Sequence, residues 1–184
     1  MDRVKLLEAF RDFFHYGTLD RLIDSYAVIK TESNTTIPAD IDWQEEEYTF
    51  NRLFVGPSTP LAPAVASVYL DPEGQIQGKV TSQVRDFYDS IGLELPEIGS
   101  EPEDSLAYEF DVCRYLLLLI KEVPEIIEAY DEFINEHMKL WLPQFVQRGL
   151  ENCGDSVAIR DVLGLINEWI KKESEMTDMS KELI

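Results

Sequence analysis

A short stretch in the middle of the chain concentrates carboxylates. Residues 93–104, which read LELPEIGSEPED, contain five acidic side chains. Carboxylates gathered in this way can accept paired hydrogen bonds from guanidinium groups, and together with water they can also bind Mg²⁺. The first chemistry predicts a site for an arginine-bearing peptide, and the second predicts a metal-dependent nucleotide site.

The same acids also have a purely structural explanation. Ser100 and Glu103 have the spacing of a capping box, and Pro102 suits a first helical turn. Acidic residues at the start of a helix also interact favourably with its dipole. The sequence leaves both interpretations open, helix capping and a cationic-peptide site, and the two are compatible.

Catalytic and metal-binding motifs are missing from the chain. It has no GxxxxGK[ST], GxGxxG, GxSxG or HExxH pattern. The chain has only two histidines, His15 and His137, which are few for a histidine-based catalytic triad or metal site. Cys113, in an apolar run, and Cys153, in a polar turn that allows exposure, do not have zinc-site spacing. We therefore predict that the protein is not an enzyme and has no metal and no resident cofactor.

The net charge of the chain restricts which kinds of molecule it can bind. The chain has 36 Asp and Glu against 16 Lys and Arg, a net charge of −20. Such a field repels nucleic acid and anionic lipid and raises the encounter rate with cationic partners. The charged N-terminal segment is unlike a signal peptide, and the apolar run 115–120 is too short to span a bilayer. We expect a cytoplasmic protein that binds no nucleic acid and does not insert into membranes.

The hydrophobic pattern predicts an all-α fold. Apolar residues recur at helical spacing over most of the chain, and nothing alternates strands with helices as a parallel sheet requires. We predict one domain over residues 1–184, a bundle of about seven helices with one irregular proline-rich region between residues 56 and 78, and a frayed tail over 172–184. The first predicted helix ends at Gly17, and Thr18 can cap the second. Further helices are predicted over 40–54, around the apolar stripes Val80 to Ile91 and Leu106 to Ile120, and from Pro124 to about Arg148, with Pro143 kinking or tightening its end. Asp155 or Ser156 can cap the last helix.

Three segments have the order and spacing of motifs found in one family. They are residues 50–63, 101–106 and 133–145, which read FNRLFVGPSTPLAP, EPEDSL and FINEHMKLWLPQF. Together they resemble the TorD/DmsD/NarJ-like chaperones of molybdoenzymes, the redox enzyme maturation proteins. The chain has Ser105 where that family usually has a histidine.

This resemblance implies a function as well as a helical fold. It implies a cytoplasmic chaperone that binds the twin-arginine, signal-bearing N-terminus of a molybdoenzyme precursor and assists cofactor insertion and export proofreading. Transient contact with molybdenum cofactor or GTP is left open, as is the choice between a monomer and a domain-swapped dimer. The alternative is a NarJ-like assembly chaperone for a subunit that is not exported. A more distant alternative is a helical, Mg²⁺-dependent nucleotide-binding enzyme.

The expected site is an apolar groove with an acidic rim. An exposed ion pair contributes only about 0–1 kcal/mol, so the groove has to supply most of the affinity and the acids set orientation and choice. The predicted peptide-binding residues are Tyr69, Leu70, Asp71, Glu97, Glu101, Pro102, Glu103, Asp104 and Ser105. The resemblance also marks residues that we expect to hold the fold: Phe50, Leu53, Phe54, Gly56, Pro57, His137, Trp141 and Pro143.

Overall fold

The computed structural model describes residues 1–74, 76–93 and 101–181, with the backbone alone for residues 177–181. The predicted all-α class is confirmed: within these ranges, only an isolated bridge between Val65 and Ser105 has β geometry. The α-helices are α1 (Arg3–Tyr16), α2 (Leu19–Glu32), α3 (Trp43–Phe50), α4 (Ser67–Leu70), α5 (Lys79–Ser90), α6 (Leu106–Leu119), α7 (Ile127–Glu132), α8 (Lys139–Asn152) and α9 (Val157–Lys181).

Two helical runs contain wide π-helical turns. A π turn over Asn51–Val55 continues α3. A second π turn, Phe133–Met138, joins α7 to α8, and a 3₁₀ turn over Pro124–Ile126 precedes α7. If residues 124–152 count as one helix and the single turn α4 is set aside, the described residues form seven helices, the number predicted.

Three details of the sequence prediction are wrong. The third helix begins at Trp43, because the Asp42 carboxylate caps it by accepting the N–H groups of residues 44 and 45, each at 3.2 Å. The tail is not frayed from residue 172, since α9 continues to Lys181 and buries Glu173. Cys153 is buried at 1% exposure rather than exposed.

The core forms around α1, which packs between α2 and α6, while α8 packs on α9. Phe10 of α1 contacts Phe110 of α6 at 5.1 Å and Trp169 of α9 at 6.4 Å between ring centroids. An ion pair closes one end of this core, where Arg3 contacts the buried Glu173 and Tyr130 donates to the same carboxylate at 2.9 Å. The first and last described helices are therefore fastened together.

A carboxylate from α3 caps the N-terminus of α9. Glu46 is buried and accepts from the backbone N–H groups of Val157 at 2.7 Å, Ala158 at 3.1 Å and Ile159 at 3.2 Å. The hydroxyl of Ser156, one of the two predicted cap residues, donates to the same carboxylate. One side chain thus satisfies three of the N–H groups that every helix start leaves without an intrahelical partner, and its negative charge suits the helix dipole.

Replacing Glu46 by alanine should destabilise the protein by about 1–3 kcal/mol, because the buried start of α9 loses its acceptor. Urea unfolding followed by circular dichroism measures the change. Glu45→Ala is the matched control, since it removes the same charge from the exposed neighbouring position. Equal losses in the two variants would contradict a capping role for Glu46.

Candidate functional site

A buried carboxylate joins α6 to the second π turn and α8. Glu109 has no exposed surface. One of its oxygens lies 2.5 Å from Nε2 of His137, and the other accepts from Nε1 of Trp141 at 3.0 Å. Phe133 stacks on the His137 ring with 5.2 Å between centroids. Of the residues expected to hold the fold, Trp141 is fully buried, the His137 side chain is 15% exposed, and both contact the Glu109 carboxylate.

Burial and pairing act on the two members of this contact in different ways. Burial raises the pKa of Glu109, and His137 and Trp141 oppose that rise. Burial alone would lower the pKa of His137, but the adjacent Glu109 carboxylate outweighs it, so the His137 pKa lies above its ordinary value. Both shifts mean that the folded protein holds protons at this pair more tightly than the unfolded chain does.

The residues just before α6 fasten the proline-rich loop to the bundle. Asp104 is fully buried, and its carboxylate accepts from the backbone N–H of Ser67 at 2.7 Å. Its backbone carbonyl accepts from Ala66 at 3.0 Å, and Leu106 donates to the carbonyl of Ala64 at 2.9 Å. These bonds flank the bridge between residues 65 and 105, so the loop and the start of α6 form one unit.

Two further residues of the predicted acidic site have partners inside the protein. Glu103 is 8% exposed and pairs with Arg85 of α5, whose Nε donates at 2.8 Å, while the carbonyl of Glu103 accepts from Tyr88 at 3.0 Å. Ser105 is the N-cap of α6, and its hydroxyl accepts from the N–H of Tyr108 at 3.4 Å. Ser100, the first residue of the possible capping box, lies outside the described residues, and the N-cap observed for α6 is Ser105.

A groove of about 1120 Å³ opens beside this junction. Its walls are the end of α1, the first π turn, the proline-rich loop and the start of α6. The apolar side chains that line it include Phe14, Phe54, Val55, Pro60, Pro63 and Ile76. The volume exceeds the roughly 300–1,000 Å³ typical of small-molecule pockets, so the groove has room for a peptide segment.

The backbone of the loop explains the shape of the groove. Gly56 has φ +122°, a conformation that side chains disfavour, and it turns the chain back so that Ala62 donates to the carbonyl of Leu53 at 2.8 Å. At the end of α1, Gly17 has φ +58°, and a Cβ there would lie 2.6 Å from the ring of Phe50. Both glycines therefore allow chain segments to approach closely at the groove.

Charged and aromatic side chains form the rim of the groove. Glu101 and Pro102 line it together with His15, Tyr16 and Tyr108. Oε2 of Glu101 lies 3.5 Å from Nδ1 of His15. Arg11 and Asp111 also line it and are ion-paired at 3.0 Å. The groove lining thus combines apolar side chains with the carboxylates of Glu101 and Asp111.

Of the predicted peptide-binding residues, the structure brings Glu101 and Pro102 to the groove and places others elsewhere. Tyr69 stacks on Trp141 at 5.7 Å, and Leu70 packs against the core. Asp71 accepts from the backbone N–H of Val80 at 3.3 Å. Glu97 lies outside the described residues. The contribution of α1 and α6 to the rim was missed, because polar side chains at those positions look like an ordinary solvated helix face.

The described residues contain no helix long and apolar enough to cross a membrane. In the same residues, no group of three or more histidine, cysteine or acidic side chains is placed to hold a metal ion.

Comparison with known proteins identifies the family. The family model described as nitrate reductase delta subunit matches residues 17–147. The chain belongs to this family. The match contains the first π turn, the proline-rich loop, α6, the second π turn and most of α8, which hold the buried Glu109 contact and most of the groove lining. It begins after the side chains of α1 that form one wall of the groove.

Curated relatives of this family member are named as chaperones. A chaperone protein TorD of Vibrio cholerae is 30% identical over 105 residues, which are 54% of this chain and 47% of the relative. A DmsD protein of Haemophilus influenzae, described as a probable Tat proofreading chaperone, is 28% identical over 123 residues, which are 65% of this chain and 57% of the relative. The chain spans about half the length of these curated relatives that it matches.

A solved structure supports the fold over nearly the whole chain. A protein from Archaeoglobus fulgidus, described as a candidate redox enzyme maturation protein, superposes with a TM-score of 0.60 at 17% identity. The superposition covers 97% of this chain and 94% of that one. At this identity the likeness establishes a common fold.

The buried pair should make stability depend on pH. His137→Gln should cost about 1–3 kcal/mol near pH 6, where the histidine in wild type is charged, and less near pH 9, because raising the pH through the elevated His137 pKa removes the extra proton. Urea unfolding of both proteins across this range measures the difference. His15 is present in both wild type and variant, so it does not contribute to the difference in unfolding free energy between them. A cost that stays constant with pH would contradict the ion pair.

Two neighbouring acids should behave differently on replacement. Asp104→Ala should lower the free energy of unfolding by about 1–3 kcal/mol, because it leaves the buried N–H of Ser67 without an acceptor. Glu101→Ala, at the exposed rim, should change it by less than about 0.5 kcal/mol. Thermal or urea unfolding checks both, and a large loss in the Glu101 variant would mean that its carboxylate has a structural contact.

Proposed function

We propose that this protein is a cytoplasmic chaperone whose groove binds the twin-arginine leader of a molybdoenzyme precursor, assisting cofactor insertion and export proofreading without catalysing a reaction. The observation that carries the proposal is the apolar groove with Glu101 at its rim, in a chain that belongs to a family whose curated members are named as chaperones. A leader of this kind pairs arginines with an apolar stretch, and the groove offers a partner for each.

The free energies involved favour the apolar side chains of the groove as the source of affinity. Burying roughly 400 Å² of apolar peptide surface at about 25 cal/mol per Å² contributes on the order of 10 kcal/mol before association costs. Those costs are at least about 4 kcal/mol, so one or two exposed ion pairs could not hold the peptide alone. In this proposal the apolar stretch binds, and the rim selects peptides by charge.

The net charge of −20 supports the same partner, because it raises the encounter rate with a cationic segment. In the described residues, the groove edge contributes Glu101 and Asp111 to this field. Proposed roles for Glu103, Asp104 and Ser105 are indirect: their contacts with Arg85, Ser67 and α6 hold the rim in place.

A second candidate is an assembly chaperone for a subunit that is not exported. The description of the matching family model, nitrate reductase delta subunit, favours it. The groove would then receive a client segment without paired arginines. A client whose N-terminus lacks a twin-arginine motif, recovered by co-purification and identified by mass spectrometry, would favour this candidate.

Calorimetry with the full chain tests the first proposal. The ligands are a synthetic twin-arginine leader, the same peptide with both arginines changed to alanine, and the same peptide with its apolar stretch changed to serine. We expect the alanine peptide to bind about two- to tenfold more weakly, and the serine peptide to lose measurable binding. Binding that survives both changes would contradict the proposal.

Groove variants locate the binding site. Val55 is 61% exposed and Ile76 is 52% exposed, so changing both to serine should leave the fold intact and weaken leader binding about tenfold or more. Leu140→Ser is the control, since it removes a side chain that is 52% exposed and does not line the groove. An equal effect of the control would place the peptide elsewhere.

A further inference from the structure

The two groove carboxylates already face basic side chains of the protein itself. Asp111 accepts from Arg11 at 3.0 Å and from Arg114 at 2.8 Å. Glu101 lies 3.5 Å from the imidazole of His15, which is longer than a normal hydrogen bond. A cationic ligand that enters the groove therefore meets carboxylates that are occupied to different degrees.

The side chain of Asp111 is 41% exposed, but its carboxylate is already shared by two guanidinium groups. Two guanidinium groups contact the same oxygen of its carboxylate. Arg11 is itself held on Asp12, which accepts its Nε at 2.8 Å and its Nη2 at 2.6 Å. To free Asp111, a ligand would have to disrupt this whole set of charges.

Glu101 is held far more weakly. Its side chain is 32% exposed, that of His15 is 38% exposed, and the contact with His15 is a single long one. An exposed pair of this kind contributes little to stability. A guanidinium can bind a carboxylate through two parallel N–H groups, whereas an imidazole offers one donor in this geometry. An arginine in place of His15 could therefore make one more hydrogen bond to Glu101.

The aromatic rings beside Glu101 also suit a guanidinium. The ring of Tyr16 is 4.6 Å from the ring of His15, and the guanidinium of Arg21 already lies over Tyr16 at 4.7 Å from its centroid. The ring of Tyr108 is 6.5 Å from the ring of His15. A guanidinium that replaced the imidazole would thus meet a carboxylate, with two aromatic rings nearby.

We propose that His15 is a place-holder on Glu101, displaced by an arginine of the bound peptide, and that this exchange gives the groove its preference for arginine over lysine. A lysine ammonium is a point charge that gains less from the exchange, because it cannot match both carboxylate oxygens in a plane. The inference rests on the proposed peptide binding and assigns its charge selectivity to Glu101 and His15 rather than to Asp111.

The test compares three leader peptides, with paired arginines, lysines or alanines, by calorimetry on the full chain. His15→Ala should tighten arginine-peptide binding about two- to fivefold and leave the alanine peptide unchanged, because the competitor is gone. His15→Lys should weaken arginine-peptide binding, because the ligand then competes with a permanent cation. A merely structural role for His15 would shift both variants in the same direction, and for all three peptides.

The carboxylate variants identify the selecting residue. Glu101→Gln should bring the ratio of arginine- to lysine-peptide affinity to about one and remove the effect of His15→Ala. Asp111→Asn should leave that ratio unchanged. Glu128→Gln, which removes an equal charge from an exposed position on α7, is the control for net charge.

The outcomes separate this inference from the function on which it rests. If the arginine peptide does not bind the wild-type protein, the proposed function fails. If it binds, but His15→Ala weakens it or leaves it unchanged, the place-holder is contradicted while the proposed function stands. If Asp111→Asn abolishes the preference for arginine and Glu101→Gln does not, the exchange has been assigned to the wrong carboxylate.

Discussion

The fully buried carboxylate of Glu109 is the constraint on which the rest of the structure depends. An ionised group without exposed surface is tolerated only when its oxygens are satisfied, and here His137 and Trp141 each contact one of them. This fixes α6 against the second π turn and α8. Because the first turns of α6 carry the bridge to the proline-rich loop, the same contact sets the position of a groove wall.

The spacing of apolar residues was sufficient to predict that the chain forms helices. It was not sufficient to predict the helix caps or the two π turns. Apolar residues at helical spacing show which face is buried, and the bundle follows from them. The two π turns leave no mark in that pattern, since one extra residue per turn is within its tolerance. The Glu46 cap of α9 could not be predicted for another reason. Glu46 lies more than a hundred residues from Val157, and a local sequence pattern does not indicate so distant a contact.

The residues that line the groove coincide only partly with the residues predicted to bind a peptide. The sequence showed a cluster of acids, and the structure divides it, with Glu101 at the groove and Asp104 in the core. The partners that draw these acids inward, Arg85 and the N–H of Ser67, come from other segments, so only the fold could reveal them. The groove wall formed by α1 could not be predicted, because a polar side chain at the position of His15 is usually only solvent-exposed.

The contact between Arg3 and Glu173 affects the order in which the protein can be completed during synthesis. Arg3 and the carboxylate that pairs with it are 170 positions apart in the sequence, so Arg3 is synthesised well before its partner. Helix α1 cannot finish packing before then, since Trp169 of α9 is also part of its aromatic surroundings. The opposite end of α1 forms a wall of the groove, so the groove is complete only after α9 has been synthesised and packed.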